Sequence, residues 1–125
     1  GRQLLRAAST LHPHAWFKEL EGNAHQPIVF GVAAAALGLG ARDAAQVVLH
    51  DSVAGPASAA AKVLALDPFA VYAALVRLTG FLDELTGQAV SHARTPPMDL
   101  PAPGAPLLDI AAEHHQRWEV RLFAS

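Results

Sequence analysis

Seven histidines are the residues of this chain with the most versatile chemistry, because imidazole binds metals and exchanges protons near neutral pH. His12 and His14 form a His-x-His pair across a proline, and His114 and His115 are adjacent. Adjacent helical residues point about 100° apart, so His114 and His115 cannot easily face one ion. Neither pair has the i, i+4 spacing or the carboxylate partner of a dedicated helical site. We interpret both pairs as surface or helix-end histidines and predict no metal site.

Asp51 is a second candidate, because it shares a helical stripe with Ala44, Val47 and Val48. A carboxylate on an apolar face must be paired, lie at an interface, or lie beyond the buried part. His50 beside it suggests acid–base chemistry, but adjacent residues on a helix do not face each other. We therefore predict that Asp51 is a buried hydrogen-bonding anchor and not a catalytic group.

Nucleophile and phosphate-binding motifs are missing from the sequence. Ser52, Ser58 and Ser91 have no Gly-x-Ser-x-Gly elbow around them, and no phosphate-binding glycine loop occurs. Gly31 and the Gly38-x-Gly40 pair fall in and after a predicted helix, where glycine serves packing and C-capping. The chain has no cysteine, which excludes disulfides and thiolate chemistry. We predict a protein that is not an enzyme and has no cofactor.

Helical periods dominate the sequence, and no sustained alternation of apolar and polar residues indicates strands. The fold class predicted is all-α, a compact bundle of about five to seven helices with a proline-rich linker before the last one. The clearest helix spans 67–92, with Asp67 as N-cap and Pro68 at the first helical position. Its apolar stripe consists of Val71, Leu75, Leu78, Leu82, Leu85 and Ala89.

The other helices are bounded by proline and glycine. His12-Pro13 ends the first helix, and Gly55-Pro56 breaks the middle of the chain. The pattern predicts helices over 1–11, 27–36, 41–54 and 57–64.

We interpret 1–125 as a single helical domain, 94–106 as a proline-rich, semi-rigid extended linker, and 107–125 as a final helix with a docking tail. Pro106 and Asp109 suit the first turn of that helix. Trp118 and Phe123 lie near the end of the sequence, where ordering each residue costs about 1–2 kcal/mol of backbone entropy. Burial of aromatic surface offsets that cost, so the tail either folds back or docks on another protein. We favour docking.

Composition limits the classes of partner. The chain is 52% hydrophobic but only 16% charged, so part of its apolar surface is expected to meet another protein. A formal net charge of −2 gives no basic footprint for nucleic acid or an anionic membrane. The longest strongly apolar run, 28–39, is shorter than the roughly 20 residues that a spanning helix needs.

Three segments in order resemble the urease accessory protein F family (UreF). The opening GRQLLR is similar to a GRxLLR segment, and HQPIVFGVAAAALGL to an HxPVVFGxxAAxLGL helix. The end, PLLDIAAEHHQRWEVRLFAS, resembles an LDIAS–xHE–RLFxS pattern, although Gln116, Glu119 and Ala124 depart from it. The family's N-terminal Pro-Gly-Gly and Ser-His motifs are not in this sequence, so the resemblance is to the family's C-terminal portion.

The resemblance implies an all-helical, cytoplasmic chaperone and scaffold that dimerises and binds its partner accessory protein, called D or H. That complex recruits the GTPase G, and together they insert nickel into apo-urease. The resemblance and the aromatic tail together give the predicted partner-binding residues: His115, Trp118, Arg121, Leu122, Phe123 and Ser125.

Two other functional classes remain open from the sequence. One is a helical ligand-binding or regulatory domain, since alanine-rich helices leave room for an internal apolar pocket. The other is a histidine-based metal carrier that uses His114 and His115.

Overall fold

A computed structural model of the chain describes residues 1–20 and 24–117. These residues form helices connected by turns and loops, and no strand occurs among them, which confirms the predicted all-α class. Two 3-10 helices span Ala15–Leu20 and Pro97–Asp99. The α-helices are α1 Arg2–Leu11, α2 Gln26–Ala36, α3 Ala41–Val63, α4 Pro68–Arg77, α5 Thr79–Ser91 and α6 Pro106–Gln116. The chain divides into a first unit, Gly1–Arg94, and a second unit, Thr95–Ser125.

A small apolar centre in the first unit joins the 3-10 helix Ala15–Leu20 to α1 and α2. Phe17 of the 3-10 helix, and Val29 and Ala34 of α2, are buried apolar side chains. Gly1 packs so closely on this part of the unit that a Cβ there would overlap the carbonyl oxygen of Ala24. Among the described residues these three are the only buried apolar side chains, so the unit leaves much of its apolar surface exposed.

The ends of α1 and α2 confirm the predicted bounds. α2 begins next to Pro27 and ends in a Schellman motif, in which the N–H of Leu39 donates to the Ala34 carbonyl at 2.9 Å. Gly38 supplies the left-handed residue that this motif needs, with φ of +77°. The predicted C-capping role of Gly38 is therefore confirmed.

α3 corrects the prediction of a break at Gly55-Pro56, because one helix runs continuously through both residues. Proline has no N–H, so the Ser52 carbonyl accepts no helical bond from Pro56. α3 packs on α5 along one side and contacts α2 and α4 as well. Packing of this kind outweighs the local preference of a single residue.

The helix predicted over 67–92 is two helices in the structure, because the regular pattern is interrupted at Leu78. The Leu78 N–H donates to the Leu75 carbonyl at 3.0 Å, three residues back, as in a 3-10 turn. The Thr79 hydroxyl donates to the Val76 carbonyl at 2.8 Å, a bond that bends helices. The predicted start is confirmed, since the Asp67 carboxylate accepts the Phe69 N–H at 3.0 Å.

Ala65, two residues after the end of α3, has φ of +49°, a left-handed conformation that costs a non-glycine residue about 1–2 kcal/mol. We expect Ala65→Gly to raise the free energy of unfolding by about 1 kcal/mol, because glycine adopts this conformation readily. Urea denaturation followed by circular dichroism measures the change. The same replacement inside α4, Ala73→Gly, serves as control and should lower stability by about 1 kcal/mol. A loss of stability in both variants would contradict strain at Ala65.

The second unit begins at Thr95 and holds a 3-10 turn, Pro97–Asp99, within the segment predicted as an extended linker. α6 follows, with Pro106 at its start and Asp109 in its first turn, as predicted. An acidic side chain there interacts favourably with the positive end of the helix dipole.

Candidate docking surfaces

An apolar groove of about 690 Å³ lies in the first unit between α3 on one side and α4 and α5 on the other. We call it the α3–α5 groove. Half-buried side chains of the predicted stripe, among them Val71, Leu75 and Leu82, line it from α4 and α5. Val53 and Ala61 line it from α3. This part of the stripe therefore lies at the groove opposite α3, and α3 covers it only in part.

Two large side chains of α4 line the groove and are exposed to solvent. Tyr72 is 67% exposed and Val76 is 71% exposed, although both line the groove. The sequence interpretation missed them, because it placed a single apolar stripe on this helix. The sequence does contain a signal for this wider apolar face. Val71-Tyr72 and Leu75-Val76 are apolar doublets four residues apart, so each adds a second apolar residue beside the stripe.

Polar groups are few in the α3–α5 groove. The Gln46 side-chain amide donates to the Asp83 carboxylate across α3 and α5, at 3.5 Å, which is the long limit for such a bond. His50 and Lys62 are exposed on α3 at the same groove. An open apolar groove differs from the enclosed pocket that the ligand-binding alternative requires.

Thr86 is the one fully buried polar residue among those described, with 0% exposure. Thr86 is among the residues that line the groove, and its hydroxyl donates to the Leu82 carbonyl at 2.8 Å. Buried hydroxyl groups need such a partner, and the preceding turn of α5 supplies it. Sequence reasoning did not single out Thr86, because threonine on a helix face is common and carries no distinctive pattern.

A second apolar surface lies on α6, where Leu107, Leu108 and Ile110 are exposed. His115, the first of the predicted partner-binding residues, is half-buried near the end of this helix. The remaining predicted residues lie outside the described ranges: Trp118, Arg121, Leu122, Phe123 and Ser125. Their docking role stays a prediction.

The histidines considered as possible metal ligands lie in different structural elements. The His14 ring contacts the Trp16 ring with centroids 4.4 Å apart, and its Nδ1 accepts the Trp16 backbone N–H at 3.3 Å. His12 is exposed at the end of α1, and His114 lies with His115 in the last turn of α6. Residues 1–20 and 24–117 contain no group of three His, Cys, Asp or Glu side chains arranged to hold a metal ion.

Two sequence interpretations are wrong in the structure. The sequence predicts Asp51 as a buried anchor, but Asp51 is exposed, and so are Val47 and Val48 on its stripe. Its carboxylate therefore lies beyond the buried part of α3. The sequence predicts a packing role for Gly31, yet a Cβ there would meet no atom within 4 Å outside the backbone of its own helix.

The serines have local structural roles where their contacts are defined. The hydroxyls of Ser52 and Ser91 donate at 2.7 Å to the carbonyls of Leu49 and Gln88, one turn back in their own helices. Such bonds are common for serine in helices and do not activate a hydroxyl. Within the described ranges, no helix combines the length and apolar character needed to cross a bilayer.

Comparison with known proteins gives a consistent relationship. The family model described as UreF matches residues 1–79. Three relatives named urease accessory protein UreF come from Mycobacterium sp. (strain JLS), Mycobacterium marinum (strain ATCC BAA-535 / M) and Mycobacterium tuberculosis (strain ATCC 25618 / H37Rv). They are 36%, 35% and 34% identical to this chain.

Each of these alignments covers 100% of the chain and 56% of the relative. The chain thus spans about half the length of the curated relatives it matches, and corresponds to their C-terminal portion. No solved structure matches the chain significantly. Because the family model covers more than half of the sequence, the chain belongs to the UreF family of urease accessory proteins.

Proposed function

We propose that this chain acts in urease maturation as a non-catalytic chaperone and scaffold for nickel insertion into apo-urease. The observation that carries the proposal is the match of the family model to residues 1–79, together with relatives that align along the whole chain. The exposed apolar surfaces of the α3–α5 groove and α6 support it, because a scaffold works through surfaces that other proteins cover. In this role nickel is cargo and GTP is handled by a partner.

Its partners in this proposal are the accessory protein D or H, the GTPase G and apo-urease, with a second copy of the chain forming a homodimer in the cytoplasm. The chain binds D or H directly and helps to recruit and regulate G. The family resemblance of the three sequence segments supports these assignments. The few charged residues support contacts that are mainly apolar.

The binding surface for D or H comprises α6 and the tail that follows it. His115 is half-buried on α6, and Leu107 and Ile110 extend an exposed apolar surface along the same helix. In the sequence, Leu122 and Phe123 continue that apolar character beyond the described residues. Aromatic and arginine side chains such as Phe123 and Arg121 are enriched at the energetic centres of protein interfaces.

Deleting Arg121 to Ser125 tests this surface. We expect the truncated chain to bind the D or H protein at least about tenfold more weakly, a loss of about 1.4 kcal/mol, because the tail's anchors are removed. Isothermal titration calorimetry measures the affinity, and circular dichroism checks that helical content is unchanged.

The matched control is Met98→Ala, which removes an exposed side chain from the segment before α6. It should leave the affinity unchanged. Equal binding by the truncated and intact chains would remove the tail from the mechanism. Absence of binding by the intact chain itself would argue against the D or H partnership.

A further inference from the structure

The 3-10 helix Ala15–Leu20 is preceded by a histidine whose ring and backbone both accept hydrogen bonds from its first turn. The His14 carbonyl accepts the Phe17 N–H at 3.2 Å, and the His14 Nδ1 accepts the Trp16 N–H at 3.3 Å. His14 therefore caps this helix as asparagine or aspartate caps an α-helix, with a side-chain acceptor for an N–H that has no partner within the helix. We propose that the His14 cap is a proton-sensitive switch. The neutral ring holds the start of the helix, and the protonated ring releases it.

The chemistry of the switch follows from the imidazole ring. A neutral imidazole donates from one nitrogen and accepts at the other, so the bond to Nδ1 requires the ring proton to be on Nε2. A protonated ring has an N–H on both nitrogens and no acceptor. The N–H groups of Trp16 and of Nδ1 would then point at each other, and the cap bond is lost. The amide or carboxylate of an ordinary cap keeps its protonation state near neutral pH, whereas imidazole titrates there.

The contact between the His14 and Trp16 rings limits the switch to the start of the helix. The two ring centroids are 4.4 Å apart, with the ring planes at 60°. A protonated imidazole is a cation, and a cation this close to an indole ring is attracted to its face. The ring contact therefore favours the charged form of His14, while the hydrogen bond favours the neutral form. Proton uptake exchanges the backbone bond for a stronger ring contact and leaves the chain folded.

The cap lies beside the buried apolar centre of the first unit. The His14 ring meets the Phe17 ring edge-on, with centroids 6.2 Å apart. Phe17 is buried, and its 3-10 helix contacts both α1 and α2. Trp16 directly precedes Phe17, so release of the Trp16 N–H loosens the turn that positions the Phe17 ring. The switch thus couples proton uptake at the half-buried His14 to the element that joins α1 to α2.

No other charged group controls the cap directly. α2, which packs on the 3-10 helix, has no titratable side chain. The titratable side chains of the other adjoining segments are those of Arg2, Arg6, His12, Lys18, Glu19 and His25, and Glu21 lies outside the described ranges. Within the described ranges, none of these groups forms a hydrogen bond or an ion pair with His14. The proton on the His14 ring itself therefore decides whether the cap is closed.

A nuclear magnetic resonance titration of the whole chain tests the switch. The backbone amide of Trp16 and the ring of His14 are followed in an isotope-labelled sample from about pH 8 to about pH 5, the range in which imidazole changes charge. We expect the Trp16 amide proton shift to follow one transition, with the same midpoint as the His14 ring. Hydrogen exchange of this amide, corrected for the intrinsic effect of pH, should lose at least about fivefold of its protection after proton uptake.

His14→Asn is the matched variant, because asparagine keeps a side-chain acceptor at the cap but does not titrate. We expect its Trp16 amide to stay protected and to show no transition. His12→Asn removes the exposed neighbouring histidine and should leave the transition unchanged. A Trp16 amide that does not titrate with the His14 ring in the unaltered chain would overturn the proposal, whether or not His14→Asn folds. A transition that persists in folded His14→Asn, or that disappears in His12→Asn, would overturn it too.

Discussion

Phe17→Ala is expected to lower the free energy of unfolding by about 3–5 kcal/mol. Phe17 is 3% exposed in the 3-10 helix Ala15–Leu20, where it joins α1 to α2. With Val29 and Ala34 it makes up the buried apolar residues of the described chain, so few neighbours can fill the space that it leaves. Small domains have about 5–15 kcal/mol of stability in total, and this loss is a large part of it. Urea denaturation at low temperature, followed by circular dichroism, measures it.

The matched control is the neighbouring aromatic residue. Trp16 is exposed and its ring contacts only the His14 ring among the aromatic contacts of the described residues. Trp16→Ala should therefore cost less than Phe17→Ala, because about half of the Trp16 side chain is already exposed and its aromatic pair adds only about 0.5–1.5 kcal/mol beyond burial. A loss for Phe17→Ala as small as that for Trp16→Ala would mean that the buried centre contributes little to folding.

Local signals in the sequence were sufficient to predict several elements. Pro27 and Gly38 set the two ends of α2, and Asp67 with Pro68 set the start of α4. These residues act through their own backbone conformation or a hydrogen bond to an adjacent turn. Such effects do not depend on the rest of the fold, so the sequence alone predicts them.

Other elements depend on packing between distant parts of the chain. α3 continues through Pro56 while it packs on α5, and the helix predicted over 67–92 is interrupted at Leu78. The α3–α5 groove also results from packing between distant parts of the chain. Periodicity predicts that Val71 and Leu75 share a face, but not that α3 leaves Tyr72 and Val76 uncovered beside them. Which helices pack together, and how completely, is a tertiary property that one sequence does not specify.

Pro56→Ala is expected to raise the free energy of unfolding by about 2 kcal/mol. A proline inside a helix costs about 3 kcal/mol relative to alanine, because it removes a hydrogen bond and its ring meets the carbonyl one turn back. Pro56 is exposed, so the substitution removes little packing. The unfolded chain gains freedom when proline is lost, which offsets about 0.5–1 kcal/mol of the gain. The shift of the urea midpoint at unchanged slope measures the net effect.

Gly55→Ala provides the control, since Gly55 is adjacent, exposed and has open space where a Cβ would stand. Its expected gain is about 1 kcal/mol, which comes from helix propensity alone. If Pro56→Ala stabilised the chain no more than Gly55→Ala, the helix would have to adapt to Pro56 without strain. If it destabilised the chain, the backbone geometry at Pro56 would itself be needed for α3 to contact α4 and α5 together. The comparison therefore separates a proline that α3 tolerates from one that shapes the α3–α5 groove.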